Sequence, residues 1–166
     1  PADQLTDRDV EFVVENFFHA HRDRMIDVHP RYGELLAQRG GTLARADGAE
    51  RRAVARRFST EDLRDLQVWH KLAWLDPIYL ERDPRVLRLV EQGRDFDEPD
   101  KRVLREVELE LLNKVIPEYR DAAARGQIEI ATSPFYHPVL PLLCDTDVYL
   151  RTHPDSPMPR QRFVHP

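Results

Sequence analysis

Three prolines stand within eight residues in the last third of the sequence, and they limit what this part of the chain can fold into. Pro134, Pro138 and Pro141 lie in the run Ser-Pro-Phe-Tyr-His-Pro-Val-Leu-Pro, residues 133–141. Proline has no amide hydrogen to donate, so such a run fits neither a helix nor a central strand. We therefore expect a rigid loop at residues 133–141.

The six residues before this loop have the composition of a β-strand. Residues 127–132, Gln-Ile-Glu-Ile-Ala-Thr, place Ile128 and Ile130 on one face and Glu129 on the other. A helical segment that runs into a strand is typical of βα barrels and doubly wound sheets. In both folds the active site lies at the C-terminal ends of the strands, where this loop would lie. The sequence thus predicts an α/β protein, mostly helical, with one clear strand near residues 127–132.

The chain before residue 126 is predicted to form four or five helices. Thr6 with Asp9, and Ser59 with Asp62, have the spacing of helix N-terminal caps. Apolar residues at helical spacing predict one amphipathic helix over the first 25 residues and further helices that proline or glycine ends. Pro117 should kink or split the longest helix, over residues 98–125. We expect one partial domain over 1–166, with a helical segment at 1–125 and the barrel strand and active-site loop at 126–166.

Charge and composition exclude several classes of function. The 166 residues carry a formal net charge of −5, which argues against a nucleic-acid-binding protein, because phosphate binding needs a basic surface. No apolar run approaches the ~20 residues that span a bilayer, so no membrane partner is expected. Cys144 is the only cysteine, which excludes an internal disulfide and a cysteine-based zinc site, and we expect no metal site. Cytoplasm is the default location.

Two features predict that the chain is a portion of a larger domain. It has only 6 glycines but 13 prolines, and the prolines are concentrated in the last third. It also begins at Pro1 without a methionine and ends on Val-His-Pro without a polar tail. We expect an excised segment.

Four side chains are candidates for binding a sugar. Tyr136 and His137 lie in the stiff loop, where an aromatic face can stack on a pyranose ring and an imidazole can bond to hydroxyls. Glu129 is expected on a buried strand, where a carboxylate needs hydrogen-bond partners or an altered pKa. Trp74 is a possible sugar platform.

Three of these candidates also have an interpretation that involves no ligand. Glu129 could be hydrogen-bonded on a half-exposed strand, and His137 could be only a turn residue before a proline. Trp69 and Trp74, at helical spacing, are more often core residues than sugar platforms.

At residues 126–143 the sequence resembles glycoside hydrolase family 57. Its Gly-Gln-Ile-Glu-Ile, followed by Thr-Ser-Pro-Phe-Tyr-His-Pro-Val-Leu-Pro-Leu-Leu, is similar to the second signature region of that family. Upstream segments are similar to the α-amylase-type subgroup: Glu-Asn-Phe-Phe at 15–18, Pro-Arg-Tyr at 30–32, Asp-Leu-Arg-Asp-Leu-Gln-Val-Trp at 62–69, and Leu-Ala-Trp-Leu-Asp-Pro at 72–77. The resemblance extends over nearly the whole chain.

The resemblance implies a fragment of a distorted (β/α)7 barrel and a retaining mechanism on α-glucans, without a metal or organic cofactor. Retention requires two carboxyl groups about 5–5.5 Å apart. The family's His-Gln-Pro signature, glutamate nucleophile and aspartate acid/base have no counterpart in this sequence, so no residue of the chain is expected to be catalytic. Glu129 looks like the family's strand glutamate in a supporting role, and His137 looks like the histidine near the donor sugar.

Two functions are therefore expected, in different classes. The first is an α-glucan hydrolase or transferase, of which this chain is a portion that is inactive by itself. The alternative is a helical protein-interaction module derived from such an enzyme. A truncated barrel would leave strand edges and apolar helix faces uncovered, so self-association is also expected.

Overall fold

The structure, a computed structural model, describes residues 1–162 and Val164. Phe163, His165 and Pro166, the end of the predicted domain, lie outside the described residues. Eight α-helices lie within the described part: α1 Asp7–Asn16, α2 Pro30–Arg39, α3 Gly48–Ala55, α4 Thr60–Leu72, α5 Pro77–Arg82, α6 Pro84–Gln92, α7 Glu98–Ala124 and α8 Leu140–Cys144. Short 3-10 turns cover Ala2–Gln4 and Thr146–Arg151, and a π turn covers Arg22–Ile26.

The prediction of an α/β barrel fragment is wrong. Among residues 1–162 and 164 there is no β-strand, and the pairing of Asp145 with Val164 is an isolated antiparallel bridge. Residues 127–134 form an irregular segment in which both Ile128 and Ile130 are exposed. A strand exists only where a neighbouring strand accepts and donates its backbone hydrogen bonds. Strand composition alone could not supply that neighbour.

The helix starts follow the predicted caps. Thr6 and Asp9 form a reciprocal capping box at α1, and Ser59 and Asp62 form another at α4. A third box, Asp47 with Glu50, starts α3. Gly40 and Gly93, both with positive φ, end α2 and α6.

Two helix predictions need correction, and of the kink or split predicted at Pro117 the split does not occur. The helix expected over the first 25 residues stops at Asn16, and the Tyr32 hydroxyl donates to the Phe17 carbonyl. That carbonyl is one of the acceptors a terminating helix leaves without an intrahelical partner. Residues 77–82 form the unexpected helix α5, which starts at a proline behind the capping side chain of Asp76. Pro117 lies within α7 and does not split it.

The chain divides into two compact units, Pro1–Ile116, here the helical unit, and Pro117–Pro166, here the C-terminal unit. The core of the helical unit is built around α4, which packs against α1, α2 and the first 3-10 turn. Trp69 of α4 is 2% exposed. Its indole N–H donates to the Gly93 carbonyl at 2.8 Å, and its ring contacts His29 and Phe96. This one side chain therefore connects α4 to the π turn region and to the end of α6.

Arg31 joins α2 to two carboxylates of α4. Its Nε lies 2.7 Å from Asp65 Oδ2 and its Nη2 lies 2.6 Å from Asp62 Oδ1. Asp65 is fully buried and also accepts the backbone N–H of Phe96. Burial opposes the ionised form of Asp62, but hydrogen bonds from Gln38, Ser59 and Arg31 outweigh it and keep its pKa below the ordinary value. The charges of Arg31, Asp62 and Asp65 are thus paired with one another, as low-dielectric surroundings require.

The C-terminal unit is held together mainly at its surface. Helix α8 packs against the 3-10 turn Thr146–Arg151. The guanidinium of Arg162 pairs with Asp145 and Asp147, and the ring of Tyr149 stacks on His153 at 4.5 Å. Every described core residue belongs to the helical unit, since the last of them is Val107. None of the described helices combines the length and the apolar character that crossing a membrane would need.

We predict that Asp65→Ala destabilises the protein by about 3–5 kcal/mol, because Arg31 and the Phe96 amide would lose a buried partner. Urea unfolding followed by circular dichroism measures the change. The control is Asp121→Ala, which removes an exposed carboxylate paired only with its neighbour Arg120 and should change stability by less than about 0.5 kcal/mol. Equal losses in the two variants would contradict a structural role for the Arg31 pair.

Candidate carbohydrate-binding site

Residues 133–137 of the C-terminal unit form a turn that presents two aromatic rings to solvent. The His137 amide donates to the Pro134 carbonyl at 2.9 Å and closes the turn. Phe135 and Tyr136, at its tip, are 88% and 90% exposed. Their ring centroids lie 5.1 Å apart at an interplanar angle of 89°. In such an edge-to-face pair the edge of one ring lies against one face of the other, and the remaining ring faces stay open to solvent.

His137 is fixed by its neighbours on the same turn. Its φ is +48°, a left-handed conformation that costs a residue with a side chain about 1–2 kcal/mol. Its Nδ1 lies 3.0 Å from the Ser133 hydroxyl. Within the described residues Nε2 has no partner, so this nitrogen can exchange a hydrogen bond with a ligand hydroxyl. The turn interpretation and the site interpretation of His137 thus both agree with this geometry.

Glu129 is not where the sequence predicted it. The expected buried strand is an exposed irregular segment, and the Glu129 carboxylate is exposed, with no hydrogen bond in the part of the chain that the structure describes. A carboxylate in water needs no protein partner, so the physical argument for a buried, supported glutamate is wrong. Glu129 stays a candidate through its place in the family motif. It lies seven residues before Tyr136, on the segment that leads into the turn.

The two tryptophans differ in their surroundings. Trp69 is a core residue, which was the more common interpretation for both. Trp74 lies in the turn after α4 and its indole is 64% exposed. Trp74 belongs to the helical unit, whereas Glu129, Tyr136 and His137 belong to the C-terminal unit. The structure therefore brings Tyr136 and His137 together on one turn and places Trp74 in the other unit.

The buried carboxylates of the helical unit have structural partners. Asp62 and Asp65 are bound by Arg31. Asp100 is bound by Arg88 and Gln92, and although burial opposes its ionisation, these bonds and the Asp97 amide keep its pKa below the ordinary value. Carboxylates held by cations in this way are poor proton donors near neutral pH. Over the described ranges, no group of three or more histidine, cysteine, aspartate or glutamate side chains could hold a metal ion.

Surface grooves do not coincide with the four candidates. Five grooves of the helical unit are lined by residues between 1 and 108, and none of them is bordered by Trp74. The Tyr136 turn is exposed and borders none of these five grooves. An exposed aromatic turn can contact one face of a polymer, whereas a cleft encloses a small ligand.

Two residues of the turn were not singled out from the sequence. Phe135 positions the Tyr136 ring, and Ser133 positions the His137 imidazole. Ser133 stands four residues before His137 and next to Pro134. Serine before a proline-initiated turn is a local signal for a side-chain hydrogen bond, so this contact could have been found from the sequence.

The sequence profile of glycosyl hydrolase family 57 matches residues 11–160, which is most of the chain and includes all four candidates. The chain belongs to glycosyl hydrolase family 57. Comparison with curated proteins and with solved structures gave no match. Family 57 is a family of glycosidases. The exposed residues of the turn therefore belong to a member of a carbohydrate-acting family.

We predict that the tryptophan fluorescence of this family 57 chain has two components, one from Trp74 and one from Trp69. Acrylamide should quench the exposed Trp74 and leave the buried Trp69 nearly unquenched. Trp74→Phe should therefore remove the quenchable component, and the fluorescence that remains should be blue-shifted. Strong quenching that persists in Trp74→Phe would contradict the burial of Trp69.

Proposed function

We propose that this chain contributes α-glucan binding to a retaining glycoside hydrolase and does not hydrolyse glucan by itself. The observation that carries the proposal is the family 57 match over residues 11–160, which includes the turn with Tyr136 and His137 exposed at its tip. The proposal extends the family assignment from carbohydrates in general to α-glucans. A cytoplasmic location belongs to the same proposal and rests only on composition.

The chemistry of the turn supports a carbohydrate ligand. The C–H face of a pyranose is apolar and its edge carries hydroxyls, so it fits an aromatic ring beside a neutral hydrogen-bonding group. Tyr136 supplies the ring, and His137 Nε2 supplies the hydrogen bond while Ser133 fixes the imidazole. Glu129 would accept from a hydroxyl further along the same segment. Trp74, as a second exposed aromatic surface, is a separate contact in this proposal.

The residues available for acid/base chemistry support the proposed absence of turnover. A retaining glycosidase needs a nucleophilic carboxylate and a carboxylic acid about 5–5.5 Å apart. The buried carboxylates Asp62, Asp65 and Asp100 are each held by an arginine. In the sequence the acidic residues nearest to Glu129 are Asp121 and Asp145, eight and sixteen residues away. We infer that the chain binds glucan and leaves its glycosidic bonds intact.

We predict that Tyr136→Ala and His137→Ala each weaken binding to soluble starch by about 5- to 30-fold, corresponding to the loss of one stacked ring or one hydrogen bond, about 1–2 kcal/mol. Affinity electrophoresis in starch-containing gels measures the binding. The matched control is Tyr119→Ala, which removes an exposed tyrosine from α7. Equal retardation of the wild type and both turn variants would refute the site, and release of reducing sugar by the wild-type chain would refute the absence of turnover.

A second candidate function, a helical protein-interaction module, is favoured by one feature of α7. Leu109, Leu112, Val115 and Ile116 are all exposed on the part of α7 within the helical unit. Leu109, Leu112 and Ile116 have the i, i+3, i+7 spacing of a helix-packing stripe. In a helix otherwise rich in charge, an exposed stripe of this kind is typical of a contact surface.

We predict that, if this stripe mediates self-association, the wild-type chain forms a concentration-dependent dimer in sedimentation velocity. Leu112→Glu should shift the chain to monomer, because a charge at the centre of the stripe would be desolvated in the contact. Lys114→Glu, a substitution on the same helix outside the stripe, is the control. A wild-type chain that stays monomeric at every concentration would remove the support for this alternative.

A further inference from the structure

Arg39, the last residue of α2, holds its guanidinium in an unusual environment. The side chain is half-buried, and its Cζ lies 4.6 Å from the centroid of the Phe18 ring. Its Nε is buried and has no hydrogen-bond partner. Both Nη atoms are accessible to solvent, and neither makes a hydrogen bond within the described residues. The two Nη groups therefore face open space, with their donors free.

Arg39 also has no carboxylate within the described part of the chain, unlike the other half-buried cations of the helical unit. These cations each pair with an acid: Arg31 with Asp65, Arg51 with Glu15, Arg64 with Glu98, Arg85 with Glu110, and Lys101 with Glu98. Burial opposes the charged form of Arg39 and lowers its pKa. A desolvated cation without a counter-ion is unfavourable, and the ring face of Phe18 supplies only part of the missing compensation.

Two grooves meet at Arg39 and the residues that follow it. One groove of about 420 Å³ is also lined by Arg22 and Asp27, and the other, of about 410 Å³, by Glu50 and Arg57. Both include Gly40, Gly41 and Thr42. Gly40 turns the chain with a φ of +82°, and the backbone amides of Gly41 and Thr42 donate to no acceptor in the part of the chain that the structure describes.

The charges around these grooves favour an anion. Asp27 already pairs with Arg22, and Glu50 already accepts the Asp47 amide in the capping box of α3. Arg39 and Arg57 remain without carboxylates in the described residues, so the local balance is positive on a chain whose formal charge is −5. A positive groove on an acidic protein selects small anions through its local field.

We propose that the Arg39 guanidinium and the turn at Gly40–Thr42 bind an oxyanion group, phosphate or carboxylate, of a small ligand. The planar fork of an arginine matches two oxygens of either group in a bidentate contact. Free backbone amides beside it add donors of the kind that turns use to hold anions. This site is separate from the proposed glucan contacts, because it is formed entirely by residues 18–57 of the helical unit.

Thermal unfolding in sodium phosphate, compared with sodium chloride at equal ionic strength, tests the proposal. The wild-type chain should show a saturable rise in melting temperature of about 3–6 °C at ten times the dissociation constant. Arg39→Gln should abolish the phosphate-specific rise. Arg105→Gln should retain it, because Arg105 is an exposed arginine of another groove with no carboxylate partner in the described chain. Sodium acetate at the same ionic strength shows whether a carboxylate substitutes for phosphate.

Two further observations keep the outcome clear if Arg39→Gln folds poorly. Arg39→Lys keeps the charge but loses the fork, so it should bind phosphate more weakly than the wild type and with the same salt dependence. In ¹H–¹⁵N spectra of the wild type, phosphate should shift the amides of Gly41 and Thr42 first. Equal melting temperatures in phosphate and chloride, an undiminished rise in Arg39→Gln, or amide shifts confined to other residues would each overturn the proposal.

Discussion

The helical unit depends on one buried ion pair, Arg31 with Asp65. A fully buried carboxylate is tolerated only when its charge and its lone pairs are both compensated, and here the guanidinium and the Phe96 amide do both. The pair fixes α2 on α4 and also fixes the residues just before α7. Trp69, one turn after Asp65 on the same helix, then packs between His29 and Phe96. The charged contact sets the register of the helices, and the aromatic contacts fill the space that this register leaves.

The sequence predicted those helix starts and ends that depend on local caps and glycines. Thr6 with Asp9 and Ser59 with Asp62 satisfy the first amides of their helices within four residues, and Gly40 and Gly93 end helices through their own backbone freedom. The strand at 127–132 could not be predicted in the same way. The alternation of Ile128, Glu129 and Ile130 indicates a preference for extended backbone. A β-strand also needs a second segment to pair with, and six residues do not specify that partner.

The candidate site shows the same division between local and distant information. The adjacency of Tyr136 and His137 on a stiff turn followed from the flanking prolines, and the structure has that turn. The burial of Glu129 was inferred from a sheet that the described residues do not form. Arg39 was not found from the sequence. It is a candidate because no carboxylate of the described residues pairs with it in space. A missing partner can be seen only once the positions of Asp27, Glu50 and the helices are known.

The two units use their aromatic side chains differently, and this bears on why the turn with Tyr136 and His137, the proposed glucan contact, lies in the second one. In the helical unit the large aromatic residues Trp69, Tyr32 and Phe96 are buried, and they stabilise the packing of the helices. In the described part of the C-terminal unit, Phe135 and Tyr136 are exposed and contribute little buried area to the fold. An aromatic residue that is not needed for packing can change its surroundings on binding without destabilising a core. The glucan contact proposed for Tyr136 and His137 would therefore compete little with folding.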